Sequence, residues 1–184
     1  MPAADERQLI ADARNGSREA FRCLVEDHMR QAYTVAFRFV NDHHAAEEIA
    51  QEAFVRVYES LHAFREEAGF ATWLHRIVTN LALNRLKATK RRNEERLDTT
   101  VHGALAATDA PAGADTDLQE HIERALHELP TLQRAVVILR HMNGLSTKEV
   151  GRILQCSEGT VKTHLFRGLE KMREKLQYLR GDLA

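Results

Sequence analysis

Near the C-terminal end of the chain, Lys162, Thr163, His164, Arg167 and Lys171 stand at spacings that turn them outward from one helix. Lys162, Thr163 and His164 lie close to its start, and Arg167 follows one turn on. These residue types can donate hydrogen bonds to guanine edges or phosphates, and a helix N-terminus itself favours phosphate. The chemistry on offer is recognition of duplex nucleic acid. A second cluster, "RLKATKRR" over residues 85–92, suits the phosphate backbone, whose contacts give sequence-independent affinity that weakens steeply with salt. A third group, Glu48, Gln51 and Glu52 with Arg56 and Glu59, forms the polar face of another helix. No catalytic residue or cofactor is predicted: there is no Gly-rich phosphate loop, no nucleophile elbow and no carboxylate pair with a basic partner at a suggestive spacing. His43, His44 and Glu47 are close in sequence, but adjacent histidines cannot share a helix face and no fourth ligand is evident, so no metal is predicted. Cys23 and Cys156 read as packed, reduced thiols.

The elements that must position these groups are helices. Apolar residues recur at three and four throughout, only three prolines punctuate the 184 residues, and no convincing strand is found. Phe21, Leu24, Val25, His28, Met29, Ala32, Tyr33, Ala36, Phe37 and Val40 follow one helix face. Asp42 suits the N-cap of a second helix, whose inner face is Ala46, Ile49, Ala50, Ala53, Phe54, Val57 and Leu61. "HAFREEAGF" breaks the pattern, and a third helix follows with Leu74, Ile77, Val78 and Leu81 inward. Beyond a stretch rich in Ala, Thr, Gly and Asp, Ile122, Ala125, Leu126 and Leu129 form a short helix closed by Pro130, which can itself open the next. Ser146 and Glu149 have the spacing of a capping box. A break is expected at Ser157-Glu158-Gly159, with Ser157 as cap and Val161, Leu165, Leu169, Met172 and Leu176 lining the helix beyond it. A short capped helix, a tight turn and a second helix with a basic outer face make a helix-turn-helix, whose second helix can enter a major groove.

The fold class expected is all-α: two small helical domains, residues 1–96 and 119–184, joined by a flexible acidic linker over residues 97–118. Net charge is −1, but it is unevenly spread. Residues 98–119 carry four acidic and no basic residues, whereas six basic and no acidic residues lie between Glu67 and Glu94. Local fields of this kind steer binding more than the total does. No apolar run is long enough for a membrane span and the start "MPAADERQLI" lacks a signal-peptide pattern, so a cytoplasmic protein with no membrane insertion of its own is expected.

"LPTLQRAVVILRHMNGLSTKEVGRILQCSEGTVKTHLFRGLEKMREKL" resembles region 4 of bacterial sigma factors, and "AAEEIAQEAFVRVYESLHAFREEAGFATWLHRIVTNLALNRLK" resembles region 2. Two motifs in this order, with a linker between them, make the chain similar to the extracytoplasmic-function (ECF) group of the sigma-70 family. The resemblance implies a transcription initiation factor that binds RNA polymerase core, through the clamp helices of the largest subunit and the flap of the second, and brings it to promoter DNA. It implies that Glu48, Gln51 and Glu52 contact polymerase. Leu61, His62, Ala63, Phe64 and Arg65, with Asn80, Asn84, Arg85 and Lys87 on the helix after, would capture an unpaired base of the minus-10 element, because such bases are read by pockets and stacking. Phe64, Phe70 and Trp73 suit either that role or the core, with Trp73 favouring the core. Lys162, Thr163, His164, Arg167 and Lys171 would read the minus-35 element. The resemblance also implies control by an anti-sigma factor, which could hold the protein at the membrane until it joins the nucleoid.

"TVKTHL" also resembles the DNA-binding domain of LuxR-type regulators, which bind duplex without polymerase. A regulator of that type would normally carry a front half of alternating strands and helices, and this front half reads as helical throughout. His164 stands where many ECF factors carry arginine, and Gly151 where the family often has alanine, allowing close helix approach.

Overall fold

The computed structural model describes residues 3–97 and 114–180, and every element among them is a helix or a helical turn. Most of the expected linker therefore lies outside the described residues. Its margins are helical, since α4 continues to Leu97 and α5 begins at Ala114. The chain divides into two compact units, Met1–Asn84 and Arg85–Ala184. That division falls inside α4, which holds no glycine or proline, rather than after residue 96.

The first unit contains α1 (Ala3–Arg14), α2 (Arg18–Val40), α3 (His43–Ser60), a 3-10 turn (Leu61–Ala63) and the start of α4 (Phe70–Leu97). Helix α1, which the periodicity did not single out, packs on α2 through Ile10 and Ala13, and Glu6 accepts a hydrogen bond from His28 at 2.8 Å. Ser17 caps α2, and Asn41 ends it in the left-handed region at φ 52°. The buried face of α2 is Ala20, Leu24, Ala32, Val35, Ala36 and Phe39, a rotation from the expected stripe. Phe37 and Tyr33 are drawn out of the core to stack with His43, whose ring lies 4.6 Å from that of Phe37. Asp42 does cap α3, accepting from the Ala45 amide at 2.6 Å. The whole expected inner face of α3 is buried, from Ala46 to Leu61, and its alanines let α2 and α3 pack closely.

Two polar side chains are enclosed in this core without partners. Both ring nitrogens of His75 and the hydroxyl of Thr79, one turn further along α4, have no hydrogen bond. Burial, with a smaller contribution from nearby His28, pushes the His75 pKa down to about 4.

The second unit holds α5 (Ala114–His127), α6 (Thr131–Val137), a π turn (Ile138–Met142), α7 (Thr147–Leu154), α8 (Glu158–Leu176) and a final 3-10 turn (Gln177–Arg180). Pro130 stands at the N-cap of α6, as its fixed φ allows. Val136, Leu139, Leu145, Val150, Ile153 and Val161 make the core of the three-helix arrangement. Two glycines permit close approaches: a Cβ at Gly168 would sit 2.8 Å from the Val137 side chain, and one at Gly151 would sit 2.8 Å from the Cys156 carbonyl oxygen. The expectation for Gly151 thus finds its reason in the backbone turn after α7. Arg134 is buried beside His127, donating to its Nδ1 at 2.9 Å.

Candidate functional site

The helix-turn-helix is set by local hydrogen bonds. Ser146 and Glu149 form the expected capping box at α7: the Glu149 carboxylate accepts from the Ser146 amide at 2.7 Å, and the Ser146 hydroxyl accepts from the Glu149 amide at 3.2 Å. Hydrogen bonds from the Ser146 side chain and backbone hold the Glu149 carboxyl below its usual range. Helix α7 ends at Gln155, in the left-handed region at φ 53°, and Ser157 caps α8 by accepting from the Thr160 amide at 3.1 Å. The break is therefore Gln155 to Ser157. Glu158 and Gly159, expected within it, are already the first turn of α8.

Lys162, Thr163, Arg167 and Lys171 are exposed on α8 as expected. His164 is not: three residues beyond buried Val161, it turns toward the inner face, half-buried, with Nδ1 enclosed and unpartnered. Thr163 donates its hydroxyl proton to the Gly159 carbonyl at 3.0 Å, leaving the oxygen to accept from a ligand. Phe166 was missed. It is 68% exposed between Lys162 and Arg167, and the signal was its phase: an apolar residue out of step with the inner stripe.

In the first unit, a cleft of about 400 Å³ is lined by Arg56, Glu59, Ser60, Ala63, Trp73, Ile77 and Asn80. Of the loop candidates, His62, Ala63 and Arg65 are exposed, while Leu61 and Phe64 are buried. The open reading of Phe64 resolves toward the core, and Trp73, which favoured the core, turns to the cleft. Phe64 goes inward, 7% exposed, where it meets Phe70 edge-on, and its ring stacks on Trp73 at 4.7 Å. Trp73, half-buried, is the ring that lines the cleft. Asn80 reaches the same cleft, and Arg56, Glu59, Ser60 and Ile77 complete it without having been singled out for it. Asn84, Arg85 and Lys87 are exposed further along α4, and Lys87, Arg91 and Arg92 border a second concavity of about 360 Å³.

Glu48, Gln51 and Glu52 are exposed on α3 as expected, with Arg56 bonded to Glu52 at 2.6 Å. Val55 and Tyr58 stand beside them, 57% and 58% exposed, and Phe21 meets the Tyr58 ring edge-on at 5.0 Å. These two apolar residues were also missed, for the same reason of phase. The face thus combines an acidic rim with an apolar centre, the composition of a protein interface. His43 is engaged by Tyr33 and Phe37, and His44 lies 3.5 Å from Glu48. Among the described residues, no group of three or more His, Cys, Asp or Glu could hold a metal ion, and no helix is long and apolar enough to cross a membrane.

Comparison with known proteins matches residues 24–92 to the Sigma-70 region 2 model and residues 119–172 to the Sigma-70, region 4 model. The chain is 33% identical to the ECF RNA polymerase sigma factor SigW of Bacillus subtilis, over 94% of this chain and 97% of that protein. It is 34% identical to the RNA polymerase sigma-H factor of Pseudomonas aeruginosa, over 95% of each. Among solved structures, the sigma factor RpoE in complex with the anti-sigma factor NepR from Bartonella quintana shares the fold at a TM-score of 0.69 and 23% identity, covering 85% of this chain and 96% of that one. CnrH in complex with the cytosolic domain of CnrY matches at 0.66 and 24% identity, over 95% and 98%.

Proposed function

Because the chain belongs to the sigma-70 family, as an ECF RNA polymerase sigma factor, we propose that its two faces and its cleft divide the work of promoter recognition. The observation that carries the reading is the outer row of α8, where Lys162, Thr163, Phe166 and Arg167 stand exposed behind a capped turn. Such a row reads the major groove of a minus-35 element: the cations donate to guanine or phosphate, and Phe166 packs on a thymine methyl. Lys171, further along, meets phosphate. His164 supports α8 rather than reading bases.

The cleft between Ala63, Trp73 and Asn80 takes an unpaired minus-10 base, with Trp73 as the stacking surface and Asn80 as the polar reader. Asn84, Arg85 and Lys87 follow the strand that leads from it. Glu48, Gln51 and Glu52, around Val55 and Tyr58, form the face for core polymerase. The first domain, residues 1–96, then carries polymerase and minus-10 contacts, and the second, residues 119–184, carries the minus-35 contacts. RpoE, a neighbour in fold, was solved in complex with the anti-sigma factor NepR, which supports control of this protein in the cytoplasm by a partner of that kind. The all-helical first unit gives the LuxR-type alternative no support.

Run-off transcription with purified core polymerase on a pool of promoter fragments tests the reading. New discrete transcripts are expected, and they are expected to vanish with Arg167→Ala or Lys162→Ala. Duplex binding by the protein alone, with no core-dependent transcript from a well-covered pool, would overturn it.

A further inference from the structure

The loop that closes the first-unit cleft is held from outside the region 2 match. Arg14, at the last turn of α1, reaches over the segment from Leu61 to Glu66 with its whole guanidinium. Its Nε donates to the Leu61 carbonyl at 3.2 Å, Nη2 donates to the Phe64 carbonyl, and Nη1 pairs with the Glu66 carboxylate at 3.1 Å. The same guanidinium lies 5.7 Å from the centre of the Phe64 ring. Four contacts from one side chain thus span the turn that presents His62 and Ala63. Glu66 itself is left-handed at φ 55°, a conformation that costs a non-glycine residue energy and persists only where neighbours fix it.

Arg14 is fixed in turn. Ile10 and Ala13 are buried one turn before it and beside it, and Glu6 is tied to His28. The guanidinium is planar with donors in a rigid fork, so it can satisfy two carbonyls and a carboxylate at once, which a lysine ammonium cannot do with the same geometry.

We infer that Arg14 is a positioning residue for base capture: α1, through this one side chain, sets the height of the Leu61–Glu66 segment over the cleft and so the selectivity for the captured minus-10 base. This rests on the cleft being the capture site. Without Arg14, the carbonyls of Leu61 and Phe64 lose a charged donor and Glu66 loses its partner, and the loop samples other conformations. The interface with core polymerase on α3 and the reading row of α8 are untouched.

The test uses holoenzyme assembled from core and full-length protein carrying Arg14→Ala, Arg14→Lys, Glu66→Ala or Asn80→Ala. Binding of short minus-10 single strands, matched or changed at the captured position and labelled with a fluorescent base analogue at the adjoining one, gives a discrimination ratio for that base. Minus-35 duplex binding, affinity for core and thermal melting are measured alongside. Arg14→Ala is expected to lower the ratio about tenfold, as the loss of hydrogen bonds from a charged donor predicts, and to change the emission of the adjoining analogue. Glu66→Ala is expected to act in the same direction but less, and Arg14→Lys to restore only part. Minus-35 binding and core affinity stay at wild-type values. If Asn80→Ala lowers the ratio while Arg14→Ala, folded by its melting curve, leaves it unchanged, the inference is overturned and the capture site stands. If Asn80→Ala also leaves it unchanged, the capture site itself is wrong. A uniform loss of matched and mismatched binding in Arg14→Ala, with full rescue by Arg14→Lys, would reduce Arg14 to a general charge and overturn the inference.

Discussion

His75 is a single buried imidazole with a legible thermodynamic cost. Its pKa of about 4 in the folded unit lies below the ordinary value near 6.5, so the unfolded chain takes up its proton first as pH falls. Its contribution is therefore complete above about 6.5 and is lost as pH falls toward 4, amounting to about 3 kcal/mol over that window. His28, hydrogen-bonded to Glu6, lies near enough to add to the depression. Replacement by an apolar residue of similar size, His75→Leu, is expected to leave stability at pH 7.5 equal or higher and to flatten its decline to pH 5, measured by denaturant unfolding across pH. An unchanged slope would mean that another group governs acid sensitivity. At the same scale the sequence was partly legible. Arg167 and Lys162 stand where their spacing put them. Phe64 stayed open and Trp73 leaned the wrong way because periodicity cannot say which of two neighbouring aromatic rings finds the other as its cover.

Among the elements, α7 depends most on its own first turn. It is eight residues long, too short to be stable alone, so the capping box and burial of Val150 and Ile153 must hold it. Ser146→Ala removes the hydroxyl that accepts from the Glu149 amide, and is expected to cost about 1 kcal/mol of stability in the second unit. Since the folded carboxyl of Glu149 is depressed, its contribution is present above the ordinary carboxylate range and fades as pH falls through that range. The Ser146→Ala variant should therefore lose less on acidification than the parent, which thermal melts at pH 7 and pH 4 would reveal. This box and the Asp42 cap were readable because both rest on contacts three residues apart. The face of α2 was not, since its rotation follows from the stacking of Tyr33, Phe37 and His43 across a helix corner. Helix α1 was not readable either: among its described side chains, Ile10 and Ala13 are the buried anchors, too few to make a stripe.

For the whole molecule, the proposed function gives each domain its own weak contact with DNA, and tethering converts two weak contacts into one stronger one through effective concentration. The full chain without polymerase is accordingly expected to give no clear gel shift of a promoter duplex at physiological salt. Core polymerase should produce the shift, and raising salt should weaken it steeply. A strong shift by the protein alone would show that duplex binding does not need polymerase. Composition suggested a division at the acidic, basic-free stretch, most of which lies outside the described residues, whereas the compact units meet between Asn84 and Arg85. A place within α4 could not be read, since an unbroken helix gives no local sign of where the packing on either side of it changes.

The turn between α7 and α8 places Gln155 where glycine or asparagine would sit without strain. Gln155→Gly should raise the melting temperature of the second unit, with a gain of about 0.5 kcal/mol once the greater freedom of glycine in the unfolded chain is allowed for. The residue is exposed and lies apart from Lys162 and Arg167, so promoter choice should not change. Robustness and reading are thus separable at this turn: the helix-turn-helix can be hardened for use in warmer hosts or as a portable transcriptional switch without rewriting the sequence it selects.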